Sequence, residues 1–155
     1  MTRLTFVLAV LSAAFSLCGA QARSEPPEPP TASAPVDDTL FRALGGHPGI
    51  ERIVGDFVPR LAADPRTSEF FRKARQDHLK LMLSQKFCVL AGGPCVYTGK
   101  PMAEAHHDMD ISRADFNALV EVLQASMDAQ GVPFPTQNRL LAKLAPLHRE
   151  IVTQH

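Results

Sequence analysis

The chain has 155 residues, a formal net charge of zero and a pI near 7.0, with 45% hydrophobic and 21% charged residues. That balance excludes an electrostatic footprint for nucleic acid, and one tyrosine with no tryptophan leaves few platforms on which bases would stack. Residues 38–155 are enough for one compact domain, and no internal repeat is evident.

The chain begins with Met1-Thr-Arg3, an apolar run from Leu4 to Leu17, and the small-residue site Gly19-Ala20-Gln-Ala22. One positive charge, a short apolar stretch and a small-x-small site predict a secretory signal peptide over residues 1–22, cleaved after Ala22. The run is shorter than the ~20 residues that span a bilayer. A retained anchor is the competing reading, and a lipidated Cys18 is disfavoured by the bulky Leu17 before it. The mature chain is expected in the periplasm or outside the cell, with no membrane insertion after cleavage. Residues 23–37 hold five of the thirteen prolines and almost nothing large and apolar. Such a segment does not bury enough surface to offset its ordering entropy, so it is expected to be a disordered spacer.

Asp37, Asp38 and Thr39 are candidate caps for a short helix carrying Leu40, Phe41 and Leu44, which Gly45-Gly46 would end. Pro48 then suits a first helical position, and Ile50, Val54, Phe57, Val58 and Leu61 follow at helical spacing. Pro59 removes a backbone bond and should bend this helix near Val58, and Asp64-Pro65 should end it. One helical turn from Thr67 to Phe71 carries Phe70 and Phe71. A longer helix from about Asp77 to Ala91 has Leu79, Met82, Leu83, Phe87 and Leu90 on one face.

Gly92-Gly93-Pro94 stops that helix and opens an irregular loop through Tyr97-Thr98-Gly99. Cys88 and Cys95 bracket the break, where the chain can turn back; a disulfide and a pair of buried apolar thiols are both compatible with the spacing. Next comes Pro101-Met-Ala-Glu-Ala-His106, a short helical segment that presents one histidine. Ser112 with Asp115 three residues on is a capping-box pattern for a helix with the stripe Phe116, Leu119, Val120, Leu123 and Met127. Gly131 and Pro133 end it. Thr136 is expected to cap the last helix, with Leu140, Leu144, Leu147 and Ile151 inward and a kink at Pro146. No stretch alternates with period two, so the domain is expected to be all-α.

Neutral imidazole is the commonest protein ligand for haem iron, and His106 is followed by apolar helices that would wall a pocket. The ordered series of markers is similar to that of the group I truncated haemoglobins over essentially all of residues 38–155. It runs Leu40-Phe-x-x-Leu-Gly-Gly46 into Ile50, Asp56-Phe57, then Asp64-Pro65 into Phe70-Phe71. It continues with Gly92-Gly-Pro94, Tyr97-Thr-Gly99, Met102-x-x-Ala-His106, Ile111, Phe116, Val132-Pro133 and Leu144-Ala-Pro146. The resemblance implies a two-over-two helical globin-like sandwich around haem b, with His106 as the proximal iron ligand. Adjacent helical side chains diverge by about 100°, and the motif register puts His106, not His107, toward the iron.

The same resemblance implies that Phe71 packs flat on the haem beside Phe70, with Leu79, Met82, Leu83 and Phe87 on the distal side. Tyr97, Phe116 and Val120 are candidates for the proximal wall, and Met102 and Ile111, at the family's spacings around His106, are further candidate haem-binding residues. His78 and Lys80 are candidates for the propionates, although a solvated face suits them equally.

Where the family carries an oxygen-stabilising tyrosine the chain has Val58, and where glutamines assist it has Leu79 and Leu83. A distal donor to dioxygen's partial negative charge is worth on the order of 1.5–3 kcal/mol. Its loss implies oxygen retention about tenfold to a hundredfold weaker. Gln85 complicates this only if it turns inward. The expected function is reversible binding of a diatomic gas (O2, NO or CO), with a reductase that the sequence does not name. Enzymatic consumption such as nitric oxide dioxygenation is disfavoured, because it needs oxygen to stay bound. The alternative is a six-coordinate electron-transfer or redox-sensing haem protein with the Met82 thioether as sixth ligand; Met82 also reads as a core gap-filler. There is no HExxH, paired CxxC, phosphate-binding glycine loop, GxSxG or Cys-x-x-Cys-His, and a zinc site from the neighbours His106, His107 and Asp108 is disfavoured.

Overall fold

The computed structural model describes residues 37–153. The export signal expected over residues 1–22, and all of the spacer up to residue 36, lie outside the described residues. Among the described residues there is no strand. Helices are α1 (Thr39–Ala43), α2 (Gly46–Ala63), α3 (Ser68–Phe71), α4 (Gln76–Leu90) and α5 (Met102–Ala105). They continue with α6 (Arg113–Ala129), α7 (Phe134–Leu144) and α8 (His148–Ile151), the last two joined by a 3-10 turn over Ala145–Leu147. No described helix is long and apolar enough to cross a membrane.

The most buried helix is α2, which packs against α4 on one side and α6 on the other. Its Ile53, Val54, Phe57, Val58 and Leu61 are all within 1% of complete burial. They meet Phe87 from α4, Leu123 and Met127 from α6, and Leu140 from α7 in one core. Fully burying side chains of this size stabilises by about 1.5–3 kcal/mol each, so this seam holds the fold together. With α4 beside α2 and α7 beside α6, the packing is the two-over-two arrangement expected from the sequence.

Several local expectations shift by a residue or two. Of the three expected cap residues, Asp37 holds the start of α1: its carboxylate accepts from the Thr39 N–H at 3.1 Å and the Thr39 hydroxyl at 2.6 Å. Those two bonds pull the Asp37 carboxyl below the usual carboxylate range. Helix α2 begins at Gly46 rather than Pro48. The corner before it is tight enough that a Cβ on buried Gly49 would lie 1.9 Å from the Leu44 carbonyl oxygen. Pro59 does not divide α2, which runs on to Ala63; Asp64, extended before Pro65, ends it.

The capping box at α6 forms as expected, with the Ser112 Oγ accepting from the Asp115 N–H and the Asp115 carboxylate accepting from the Ser112 N–H. At the other end of the domain α7 starts two residues before Thr136, at Phe134. Pro146 does more than kink the last helix. Without an N–H it converts the helix into a 3-10 turn, after which α8 restarts.

Candidate haem site

His106 is the C-cap residue of α5 and is half-buried. Its Nδ1 lies 2.8 Å from the carbonyl oxygen of Met102, one turn back, and the His106 backbone N–H donates to the same oxygen at 3.1 Å. A carbonyl only accepts, so the proton of the neutral ring sits on Nδ1. Nε2 is left with a bare lone pair and an imidazole plane fixed by its own backbone. This is the arrangement in which a histidine ligates a metal, with the second nitrogen orienting the first. His107 is different: its side chain is 76% exposed and pairs with the exposed Asp108 carboxylate at 2.7 Å.

The chain then reverses through Asp108 (φ +61°) and Asp110 (φ +50°), left-handed conformations that aspartate adopts more readily than most residues. Beyond the reversal, Ile111 is buried and clamped to the last described residue. Its N–H donates to the Thr153 hydroxyl at 3.0 Å, and the Thr153 N–H donates back to the Ile111 carbonyl at 3.0 Å. Helix α8 also packs beside α5. The C-terminal end of the chain therefore holds the segment that carries His106. A lone threonine near a chain end offers no sequence signal of this, nor does His148, whose ring meets Phe116 edge-on at 5.0 Å.

Of the residues expected around a haem, Phe70, Phe71, Leu79, Met82, Leu83, Tyr97, Met102, Phe116 and Val120 are all half-buried, like His106. Phe71, Leu79 and Leu83 lie against the edge of the core. A side chain packed on one flank and accessible on the other is what the wall of a cleft for a flat apolar group requires. Phe87 and Ile111 are instead buried, and Phe87 sits inside the core with its ring centroid 6.3 Å from that of Phe57. On α6 the expected stripe is divided: Leu123 and Met127 join the core with Val122, Leu119 packs against it, and Phe116 and Val120 remain half-buried.

Val58 is completely buried and brings no polar atom to the interior. Gln85 does not turn inward: its side-chain oxygen accepts from the backbone N–H and the hydroxyl of Thr98, both at 3.0 Å. Tyr97 is engaged locally, donating to the Lys100 carbonyl at 3.1 Å with the Lys86 ammonium 4.0 Å above its ring. Burial of that ring pushes the Tyr97 hydroxyl above its ordinary pKa. His78 is exposed and Lys80 half-buried. Two surface depressions, of about 280 and 370 Å3, lie elsewhere and are lined by none of the expected haem residues.

A neutral imidazole with a free Nε2 has the donor chemistry that a haem iron takes. Residues 39–153 match the bacterial-like globin family. The chain is 34% identical over 115 residues to the group 1 truncated hemoglobin of Mycolicibacterium paratuberculosis, covering 74% of this chain and 85% of that protein. The truncated hemoglobin of Tetrahymena pyriformis, solved in its Fe(III) form, superimposes with a TM-score of 0.70 at 28% identity, covering 73% of this chain and 97% of that one. It has also been solved with a tyrosine replaced by phenylalanine and with each of two glutamines replaced by glutamate. A truncated hemoglobin of Chlamydomonas reinhardtii matches with a TM-score of 0.64 at 26% identity, covering 75% and 96%. The chain belongs to the bacterial-like globin family, as a group 1 truncated haemoglobin. Membership brings haem-based gas binding in general, and with it a haem cofactor.

Proposed function

We propose that the protein holds haem b through Nε2 of His106 and reversibly binds a diatomic gas, with weak retention of dioxygen. The observation that carries this reading is the 2.8 Å bond from His106 Nδ1 to the Met102 carbonyl, which leaves Nε2 free and aimed by the backbone. Bound haem would supply a ferrous iron that takes the gas. The chain's residues do the rest. Phe70, Phe71, Leu79 and Leu83 would exclude water from the haem, and Met102, Phe116 and Val120 would line the side of His106.

Weak retention follows from Val58, Leu79 and Leu83, which offer no hydrogen-bond donor, while Gln85 is committed to Thr98. In the Tetrahymena protein the substituted tyrosine and two glutamines stand at the same sequence intervals as Val58, Leu79 and Leu83. The test is the absorption spectrum of haem-reconstituted protein in ferric, ferrous and ferrous-CO forms, beside His106→Ala. A pentacoordinate ferrous spectrum that shifts on CO, together with loss of haem in the variant, is the expected result. Unchanged haem retention in the variant removes the assignment.

Met82 favours a second reading. Its side chain is half-buried on α4, yet it is not packed against the core as its neighbours Leu79 and Leu83 are. A thioether free of the core is available as a sixth ligand, which would suit electron transfer to or from a partner reductase. A six-coordinate ferrous spectrum that resists CO and becomes CO-reactive in Met82→Leu distinguishes this reading from the first. Export to the periplasm or medium completes the proposal, and a mature N-terminus at Arg23, read by mass spectrometry of the protein from its host, tests it.

A further inference from the structure

Away from the haem residues, the structure gathers His47, Cys88 and Cys95 at the corner where α1, the start of α2 and the end of α4 meet. Cys88 and Cys95 form a disulfide with a Cα–Cα separation of 6.0 Å, which settles the alternative the spacing left open. Both ring nitrogens of His47 lie 3.8 Å from Cys95 Sγ. One donor atom from each of the three residues falls within 4.8 Å of the others. A tetrahedral zinc with Zn–S of ~2.3 Å and Zn–N of ~2.0–2.1 Å has an S···N edge of about 3.5 Å. The corner is therefore within a few tenths of an ångström of that edge along its His47–Cys95 side.

We infer that, once the disulfide is reduced, His47, Cys88 and Cys95 form a Cys2His site for a soft divalent cation, zinc above all. Three features of the corner support it. The ring of His47 is exposed and is buttressed edge-on by Phe41 at 5.1 Å, so it can turn either nitrogen inward without disturbing the core. Gly93 leaves the space beside the sulfurs open, where a Cβ would lie 2.6 Å from Cys88 Sγ and 2.5 Å from the Phe41 ring. Two thiolates and an imidazole form a set that selects zinc over hard cations, and the exposed side of His47 admits a water as fourth ligand.

The chemistry balances with a dithiol reductant of the thioredoxin type. Its thiolate attacks half-buried Cys95 Sγ, the S–S bond breaks, and Cys88 leaves as a thiolate. The second reductant thiol then displaces Cys95, so two electrons enter the chain and the reductant departs as a disulfide. Zinc binding displaces the two thiol protons. Oxidised, the corner is a covalent staple; reduced, it is a metal site on the same atoms. The inference does not rest on the haem reading.

The test uses the full chain with haem bound, oxidised or reduced by a phosphine, and dialysed against micromolar zinc chloride with zinc counted by elemental analysis. One zinc per reduced chain and none per oxidised chain is expected. Zinc-edge X-ray absorption should find two Zn–S distances near ~2.3 Å beside nitrogen or oxygen at ~2.0–2.1 Å. His47→Ala, an exposed substitution, should weaken zinc binding by about tenfold or more. Zinc bound equally by oxidised and reduced chains, or equally by His47→Ala, or with no sulfur in its shell, overturns the inference.

Discussion

The two ends of α4 are built for different work. At its C-terminal end Phe87, Cys88 and the following Ala91 are at most 3% exposed, and the Cys88–Cys95 disulfide ties the helix to the loop beyond it. At its N-terminal end Leu79, Met82 and Leu83 are half-buried and Leu81 is 53% exposed. One helix thus anchors itself in the core with one half and presents adaptable apolar side chains with the other. The packed and cross-linked C-terminal half holds the backbone of α4 in place, which lets its N-terminal half leave apolar side chains partly accessible.

Substitutions at the two ends should separate these roles. Phe87→Ala removes a ring packed against Phe57 and should cost about 3–5 kcal/mol in urea unfolding, whereas Leu79→Ala, already half-exposed, should cost well below that. Equal costs would mean that the two ends of α4 are packed alike. Opening the disulfide, by Cys88→Ser with Cys95→Ser, should lower stability by about 2–3 kcal/mol for a loop this short. A loss confined to the C-terminal end, read by hydrogen exchange along α4, would sharpen the contrast further.

On the half of α4 proposed to face the haem, Leu83→Gln replaces an apolar side chain with a hydrogen-bond donor. Oxygen should then dissociate from the reconstituted protein about tenfold to a hundredfold more slowly, with little change in urea midpoint. The smallest effect is expected at the α6 cap. Ser112→Ala removes both hydroxyl contacts with Asp115 and should cost about 0.5–2 kcal/mol. The Ser112 side chain first, and its N–H second, hold the Asp115 carboxyl below its ordinary value. A lowered carboxylate pKa contributes stability above the unfolded value of about 3.9 and loses it as pH falls through the folded value. The gap between wild type and Ser112→Ala should therefore be full near neutrality and shrink below about pH 4.

Much of the architecture was legible one element at a time. Ser112 and Asp115 announce a helix start because the capping box is local chemistry, satisfied within one turn. Asp64-Pro65 announces a stop because proline constrains the residue before it. Boundaries slipped where two local signals competed. Gly45-Gly46, Pro48 and Gly49 all permit a tight corner, and the close approach to Leu44 chose Gly46 as the start of α2. Within the candidate site, the apolar residues could be listed from spacing, but Phe87 and Leu83 lie one turn apart on the same stripe. Only the position of α2 decides that Phe87 is core while Leu83 stays half-buried.

The family match bears out the resemblance carried by the ordered motifs, and by itself the sequence determined the helical class and the order of the helices. All of these follow from spacings of a few residues read against the helical repeat. Tertiary structure decided the rest because the partners lie far apart along the chain. It turned Gln85 to Thr98, joined Ile111 to Thr153, set Phe116 against His148 and brought His47 to the two cysteines. No periodicity encodes contacts of that kind, which exist only once α2 has drawn α4 and α6 to its two sides.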